Sequence, residues 1–251
     1  MSSWMPTQYP IMVVASSWWN GKRLTRPAYP VRNRPLVCDS GGFLAHQRFG
    51  GFPYSVDQLA DWALAWQADW CATPDYPCEP ELAQGEVKRR LERTVALAAE
   101  AIQRRPEVTW RPVLQGWRAA DYLQCWELYR QAGITPRAIG TLCRRGRAKE
   151  IARVLDKIRA AYPGHTYHLF GVKLTALKEE PTRALADSVD TAAWSMLPSR
   201  NRDRRSGWRI SAAAARAHGH SSRSRFEWEL AGQYYAKLQR LLAAPCQPHL
   251  L

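Results

Sequence analysis

Short apolar runs that end on a polar residue or a glycine recur along this chain. These runs cover residues 10–16, 35–39, 69–75, 109–116, 136–142, 167–172 and 188–194. Most of the segments between them carry apolar residues at helical spacing, over about 10–25 residues each. Buried strands that alternate with helices of this length indicate parallel βαβ units. The chain is therefore expected to have an α/β fold.

Seven candidate strands favour a (β/α)8 barrel of the TIM type over an open sheet. Almost every candidate strand ends on a polar residue or a glycine, and barrel enzymes build their sites at this end of their strands. The eighth strand is not clear in the sequence: the segment 208–210 is a candidate for it, and an irregular barrel is the alternative.

The whole chain, 1–251, is expected to form one domain without a zinc-binding subdomain. Its core covers about 10–200, an Arg/Ser-rich loop covers 200–225, and a C-terminal helix covers about 225–243. The spacing of apolar residues predicts the other helices at 56–66, 81–105, 119–132, 147–161 and 175–186. Ser55 is the expected N-cap of the first of these, and the glycine-rich segment 44–54 is expected to be a mobile loop over a site.

The charge balance points to a polyanionic partner. Lys and Arg total 36 against 22 Asp and Glu, which gives a formal net charge of +14. No apolar run approaches the roughly 20 residues of a membrane helix, and no secretory signal is expected. The six cysteines form no C-x-x-C pair, so reduced and buried thiols are expected. These features indicate a cytoplasmic protein.

The run 36–43 combines a buried strand, a carboxylate, two glycines and an aromatic ring. The strand ends on Asp39, and the Gly41-Gly42 turn that follows leads to Phe43. This arrangement lifts the carboxylate out of the strand and lets the backbone come close to something flat. Taken alone, the same pattern also fits a structural turn capped by an aspartate.

The strand ends, taken in order, resemble the tRNA-guanine transglycosylase family. That family has the pattern D-S-G-G-F/Y, a mid-chain Asp, Q-G, G-G-L, L-M-G-V, D-x-F-D and P-T-R. The matching segments here are 39–43, Asp75, 115–116, 140–142, 169–172, 187–190 and 198–200. Each segment is weak evidence by itself, whereas the ordered set at successive strand ends is specific. The resemblance spans residues 36 to 200.

This resemblance implies an enzyme that exchanges guanine in a nucleic acid for a 7-deazaguanine base. Asp190 matches the family's nucleophile, a carboxylate that attacks the anomeric carbon and holds a covalent glycosyl-enzyme. Asp39 matches the aspartate that contacts the base and moves protons on and off it. Without the other segments, Asp190 could be an ordinary solvated carboxylate.

The resemblance also implies which residues bind the base. Phe43 and Phe170 match the two residues that sandwich the purine, and Asp75 and Gln115 match the groups that contact its edge. The other implied base-binding residues are Ser40, Gly41, Gly116, Gly140, Leu142 and Gly171. Three of these glycines let backbone groups approach the ring, and the leucine lies at the pocket wall.

Three departures from the family pattern favour its short DNA-modifying branch. The family's zinc-binding cysteines are missing, and His218, His220 and Cys246 are too few and badly spaced, so neither a metal nor a cofactor is expected. Segment 140–142 is followed by no glutamate that matches the family's, and the chain is short. The branch inserts a 7-deazaguanine, typically 7-cyano-7-deazaguanine, into DNA in bacteria and phages. Exchange in tRNA remains the alternative.

Arginines after two strand ends are expected to contact nucleic-acid phosphates. These residues are Arg144, Arg145, Arg200, Arg202, Arg204 and Arg205. A solvated loop is the alternative for both clusters. Two other functions remain open, a non-catalytic nucleic-acid-binding barrel and a barrel enzyme that acts on a small metabolite. The sequence leaves the oligomeric state open.

Overall fold

The computed structural model describes residues 10–25, 35–191 and 223–243. The strands are β1 (Ile11–Val14), β2 (Leu36–Asp39), β3 (Trp70–Ala72), β4 (Trp110–Arg111), β5 (Val113–Leu114), β6 (Ala138–Ile139), β7 (Tyr167–Leu169) and β8 (Ala186–Val189). The helices are α1 (Gly42–Phe49), α2 (Val56–Ala65), α3 (Gln84–Arg104), α4 (Ala119–Gln131), α5 (Ala148–Ala161), α6 (Glu180–Leu185) and α7 (Arg223–Leu242). Two 3-10 helices cover Ala15–Trp18 and Ala176–Lys178.

The strands form two parallel sheets in sequence order, β1-β2-β3-β4 and β5-β6-β7-β8. Pro112 separates β4 from β5 within the single strand expected at 109–116. Proline has no N–H to donate, so it interrupts the ladder of hydrogen bonds at this point. Every named strand pair is parallel, which confirms the expected βαβ organisation.

Side-chain contacts join strands of the first sheet to strands of the second. The ring of Trp70 on β3 lies 4.9 Å from the ring of His168 on β7, and Arg111 on β4 pairs with Asp187 on β8 at 3.0 Å. Side chains from six strand regions share one apolar cluster: Met12, Val37, Trp70, Ala72, Val113, Ala138 and Phe170. The α/β fold with parallel sheets is therefore confirmed, while closure into a barrel remains a prediction. The candidate eighth strand at 208–210 lies outside the described residues.

The helices bury their apolar faces against the sheets. On α3, Leu91 and Val95 join the main core, and on α5, Leu155 and Ile158 do so. These pairs are three or four residues apart, the spacing that places side chains on one helix face. α7 covers the helix expected at 225–243, and its Leu238 packs against the same core. Among the described residues, no helix is both long enough and apolar enough to cross a membrane.

The start of the segment expected to be a mobile loop is helical instead. α1 follows Gly41 directly and ends at Phe49. The next residue, Gly50, has a φ of +73°, the left-handed geometry of a helix C-cap. Gly41 and Gly50 therefore flank a helix, because they supply the backbone geometry that its two ends need. Ser55 caps α2 as expected, and its side chain accepts a hydrogen bond from the backbone N–H of Gln58.

Candidate active site

A cavity of about 160 Å³ opens at the carboxyl ends of the strands. It is lined by Asp39, Gly42, Phe43, Asp75, Pro77, Glu79, Gln115, Gly140, Thr141, Cys143, Arg144, Phe170, Gly171 and Asp190. The strands of a parallel sheet all end at the same edge, so residues distant in sequence meet there. Asp39 ends β2, Gln115 follows β5, and Asp190 follows β8.

Asp39 is a carboxyl group that holds its proton unusually strongly. Burial, followed by the negative charges of Asp75 and Asp190, raises the pKa of Asp39 to about 7. The N–H of Gly41 donates to Asp39 Oδ1 at 2.9 Å and opposes this shift. Near neutral pH the Asp39 carboxyl is therefore present in both protonated and ionised forms, as an acid–base catalyst requires.

Asp75 and Gln115 form a buried polar floor. Asp75 Oδ1 accepts a hydrogen bond from the Ser40 hydroxyl at 3.0 Å, and Asp75 Oδ2 accepts one from the Gln115 amide nitrogen. Burial raises the pKa of Asp75 to about 6, although both hydrogen bonds favour the ionised form. The hydroxyl of Thr141 donates to Gln115 Oε1 at 2.5 Å, so the network fixes which end of the amide faces Asp75.

Two glycines with positive φ let the loops of the site pack closely. Gly41 has a φ of +76°, and a Cβ there would lie 2.1 Å from Ser16 Oγ. Gly171 has a φ of +64°, and a Cβ there would lie 2.5 Å from the Cβ of Cys143. A side chain at either position would meet both backbone strain and a clash.

The carboxylate of Asp190 is held from one side. Its Oδ1 accepts a 2.7 Å hydrogen bond from the N–H of Gly171, and the same oxygen lies 3.4 Å from Nε2 of the buried His168. The side chain of Asp190 is partly exposed, at 27%. A carboxylate that is anchored through one oxygen and open to the cavity can act as a nucleophile.

Two phenylalanine rings line the cavity. Phe43 is the second residue of α1, and its exposed fraction of 38% is unusual for a phenylalanine. Phe170 is partly buried, and its ring meets His168 edge-to-face at 4.6 Å. Aromatic rings placed beside a cavity provide stacking surfaces for a planar base.

The structure brings most of the predicted site residues together. Those that line the cavity are Asp39, Phe43, Asp75, Gln115, Gly140, Phe170, Gly171 and Asp190. Four others lie outside the set that lines it: Ser40, Gly41, Gly116 and Leu142. Leu142 is fully buried in the main core rather than placed at the pocket wall, and the hydroxyl of Ser40 donates to Asp75.

Sequence reasoning missed five lining residues, namely Gly42, Pro77, Glu79, Thr141 and Cys143. Gly42 and Thr141 stand inside motifs that the sequence already pointed to. A Cβ on Gly42 would lie 2.5 Å from the backbone oxygen of Asp75, and this close approach is visible only in the folded chain. Glu79 follows a strand end by several residues, and no local pattern singles it out.

The adjacent arginines Arg144 and Arg145 have different environments. Arg144 is at the cavity rim, where its guanidinium carbon lies 5.9 Å from the centre of the Phe43 ring and its Nε lies 3.1 Å from Glu79. Arg145 is only 3% exposed, stacks on Trp117 at 4.4 Å and donates to the Trp117 carbonyl. The expected phosphate contact of Arg145 therefore needs correction, because this side chain faces the protein interior.

Other predicted residues fall outside the described part of the chain. They are Arg200, Arg202, Arg204, Arg205, His218, His220 and Cys246. Within residues 10–25, 35–191 and 223–243, no three His, Cys, Asp or Glu side chains are grouped in a way that could hold a metal ion. Four of the five described cysteines are buried free thiols, and Cys143 is exposed.

The family model described as "DpdA: DeoxyPurine in DNA protein A" matches residues 2–229. The chain belongs to the DpdA family. DpdA proteins are the DNA-modifying branch of the tRNA-guanine transglycosylase-like proteins, which confirms the resemblance found in the strand ends. The family acts on DNA, and membership implies a transglycosylase of DNA modification. A search of curated proteins found no match to this DpdA chain.

Proposed function

We propose that this DpdA protein exchanges guanine in DNA for a 7-deazaguanine base, such as 7-cyano-7-deazaguanine. The observation that carries the proposal is that Asp39 and Asp190 line one cavity together with the rings of Phe43 and Phe170. One carboxyl group can bond to the sugar, the other can move protons, and the two rings can hold a purine. The proposed steps need no cofactor.

In the first half-reaction, a carboxylate oxygen of Asp190 bonds to C1′ of the target deoxyribose. The bond from C1′ to guanine N9 breaks, and its electron pair leaves with the purine. The Gly171 N–H and His168 both approach Oδ1, so we assign the attack to Oδ2. Protonated Asp39 gives its proton to the departing guanine, in keeping with its raised pKa of about 7.

In the second half-reaction, the incoming base takes the place of guanine between the rings. Ionised Asp39 accepts the proton from N9 of the 7-deazaguanine, the N9 electron pair attacks C1′, and the bond from C1′ to Asp190 breaks. Two displacements at the same carbon retain its configuration. Asp39 ends protonated, as it began, and is ready for another cycle.

The polar floor suits the edge of a guanine-like base. Asp75 offers carboxylate oxygens to ring and exocyclic N–H donors, and Gln115 offers an amide to the base oxygen. Both side chains are buried and already hydrogen-bonded to one another, so they are positioned before the base arrives. Ser40 and Gly116 lie outside the lining set and support it, since Ser40 donates to Asp75 and a Cβ on Gly116 would lie 2.8 Å from the backbone nitrogen of Tyr122.

DNA would reach the site with its target nucleotide turned out of the helix. A base inside the stack cannot meet Asp190, and extrusion costs a few kcal/mol. Arg144 at the rim is placed to contact a phosphate, and the arginines at 200–205 remain candidates for the same role. We expect the protein to work in the cytoplasm of a bacterial cell or of a phage-infected host.

We further expect the two parallel sheets to belong to a single-domain (β/α)8 barrel. The contacts of Trp70 with His168 and of Arg111 with Asp187 support this expectation, since they join strands from the two sheets. A barrel would also explain why the site residues follow successive strands.

The test is base exchange by the purified full-length protein. Duplex and single-stranded DNA with labelled guanine, and tRNA labelled in the same way, are each incubated with 7-cyano-7-deazaguanine, and guanine release is followed. We expect release from DNA and a denaturation-resistant DNA–protein adduct. Release from tRNA alone would support the tRNA alternative, and binding to DNA without release would support a non-catalytic module.

Asp190→Asn is the decisive variant. We expect it to abolish both the adduct and guanine release, because an amide cannot form the ester bond to C1′. Asp156→Asn is the matched control, since Asp156 lies on α5 and pairs with Arg159 away from the cavity. A fully active Asp190→Asn protein would rule out the proposed mechanism.

A further inference from the structure

His168 lies directly beneath the carboxylate of Asp190. It is on β7 and only 2% exposed. One ring nitrogen, Nε2, is 3.4 Å from Asp190 Oδ1, and the other, Nδ1, is 3.0 Å from the hydroxyl of Ser188. The sequence patterns did not single out this histidine, because it stands inside an apolar strand.

The hydrogen bonds beyond His168 determine where its proton lies. The Ser188 hydroxyl donates to Asp187 Oδ1 at 2.5 Å, and a hydroxyl has one hydrogen to give. Ser188 Oγ must therefore accept from His168, which places a hydrogen on Nδ1. Arg111 donates to Asp187 at 3.0 Å and anchors the far end of this chain of contacts.

The other ring nitrogen of His168, Nε2, faces Asp190, the proposed nucleophile. Nε2 is buried and has no hydrogen-bond partner among the described residues, and its 3.4 Å separation from Asp190 exceeds the usual range of about 2.7–3.2 Å. A buried polar atom without a partner is costly, and catalytic hydrogen bonds are often long before substrate binds. A donor at this position would act on Asp190 Oδ1 together with the Gly171 N–H.

Aromatic contacts fix the plane of the His168 ring. Trp70 packs on it at 4.9 Å, and Arg111 in turn lies 4.5 Å above the Trp70 ring. Phe170 also contacts this histidine, with its ring edge-to-face at 4.6 Å from His168. One buried side chain thus contacts both the nucleophile and an aromatic ring of the cavity.

We propose that His168 is a positioning residue that holds Asp190 for attack and aligns Phe170 with it. The inference rests on the proposed function, because Asp190 must be the nucleophile. Ser188, Asp187 and Arg111 fix the orientation of His168, and His168 fixes that of Asp190 Oδ1. Small misplacements of a reacting group are expensive, so this support should affect the chemical step more than the binding of DNA.

Two substitutions at His168 separate its two contacts. A glutamine can place its amide nitrogen where Nε2 lies and so present a donor toward Asp190. An asparagine reaches only as far as Nδ1, so it keeps the Ser188 contact and loses the one to Asp190. The two variants differ by one methylene group, and a purely structural histidine would predict the opposite order of activities.

The experiment measures the single-turnover rate of DNA–protein adduct formation, together with the KM for DNA and the melting temperature. We expect His168→Asn to lower the rate by about 10²-fold, with the KM for DNA unchanged. His168→Gln should retain most of the rate. An asparagine variant as fast as the wild type, or a glutamine variant as slow as the asparagine variant, would overturn the proposal.

Two further variants keep the test decisive if a His168 variant fails to fold. Ser188→Ala removes the partner of Nδ1 at little cost in volume, and we expect slower adduct formation with DNA binding intact; an unchanged rate would count against the proposal. His165→Asn is the matched control, since His165 precedes the same strand and packs on Trp126. If the wild type forms an adduct and Asp190→Asn does not, the proposed function stands whatever the His168 variants do.

Discussion

Gln115 packs directly against Gly140, and a Cβ on Gly140 would lie 2.2 Å from Gln115 Nε2. The amide cannot move aside freely, because its nitrogen donates to Asp75 and its oxygen accepts from Thr141. The absence of a side chain at one strand end thus creates room for a recognition group from the neighbouring strand. The backbone position of Gly140 and the side-chain position of Gln115 therefore depend on each other.

This relationship predicts the effect of Gly140→Ala. The methyl group must displace Gln115, which breaks its bonds to Asp75 and Thr141, so we expect guanine release to be lost and the free energy of unfolding to fall by about 1–3 kcal/mol. Chemical denaturation and the base-exchange assay measure the two effects. Gly85→Ala is the control, because a Cβ there meets nothing within 4 Å. Wild-type activity of Gly140→Ala would contradict the proposed role of Gln115.

The carboxyl group of Asp39 predicts how stability depends on pH. Its pKa rises from 3.8 to about 7 on folding, so the folded state binds a proton more tightly than the unfolded chain. This contribution is fully present below pH 3.8 and is lost as the pH rises toward 7, with a slope of at most about 1.4 kcal/mol per pH unit. Denaturation of wild type and Asp39→Asn across this range should show a flatter profile for the variant. Parallel profiles would refute the prediction.

Phe43 should contribute to base binding with little effect on stability. Its ring is 38% exposed at the cavity, so truncation removes little buried surface. We expect Phe43→Ala to raise the KM for the incoming base by an amount equivalent to about 1–3 kcal/mol of lost stacking. The melting temperature should stay near that of the wild type. Phe49→Ala, at the far end of α1 and also exposed, is the matched control.

Arg144 should contribute to the salt dependence of DNA binding. Removing one phosphate contact lowers the slope of log K against log salt by about 1. Affinity measurements at several salt concentrations on Arg144→Ala test this expectation. Arg130→Ala is a suitable control, because Arg130 is paired with Glu127 on α4, away from the cavity. An unchanged slope for Arg144→Ala would remove Arg144 from the DNA interface.

Arg145→Ala should act on stability instead. The guanidinium is buried against Trp117 and donates to its carbonyl, so truncation leaves that acceptor unpaired and opens space beneath the ring. We expect the free energy of unfolding to fall by about 1–3 kcal/mol, with the salt slope unchanged. A reduced salt slope with unchanged stability would restore Arg145 as a phosphate contact.

Much of the fold and of the site could be predicted from the sequence. The strand ends at Asp39, Asp75 and Gln115 were found because an apolar run followed by a polar residue or glycine is a local signal. The helix N-cap at Ser55 is also encoded in neighbouring residues. α1 was missed because its flanking glycines, which indicate a loop by composition, provide the left-handed turns at its ends.

The remaining features depend on contacts between distant parts of the chain. Arg144 and Arg145 are equivalent in sequence, yet Trp117, 28 residues before Arg145, makes one of them interior. His168 resembles a core residue until β8 places Ser188 and Asp190 beside its two nitrogens.

By itself, the sequence determined which strands would end in candidate catalytic or base-binding residues, and in which order. Parallel strands end at one edge of their sheet, so that order places Gln115 and Asp190 at the same edge. The packing of the two sheets then brings Asp39 to the same cavity. Only the tertiary structure decided which side chains line the cavity and which ones contact the lining residues from the protein interior. It also decided which atoms of His168 and Ser188 carry the hydrogens. Burial and hydrogen bonding are properties of the assembled surroundings, and those surroundings come from segments that no local pattern connects.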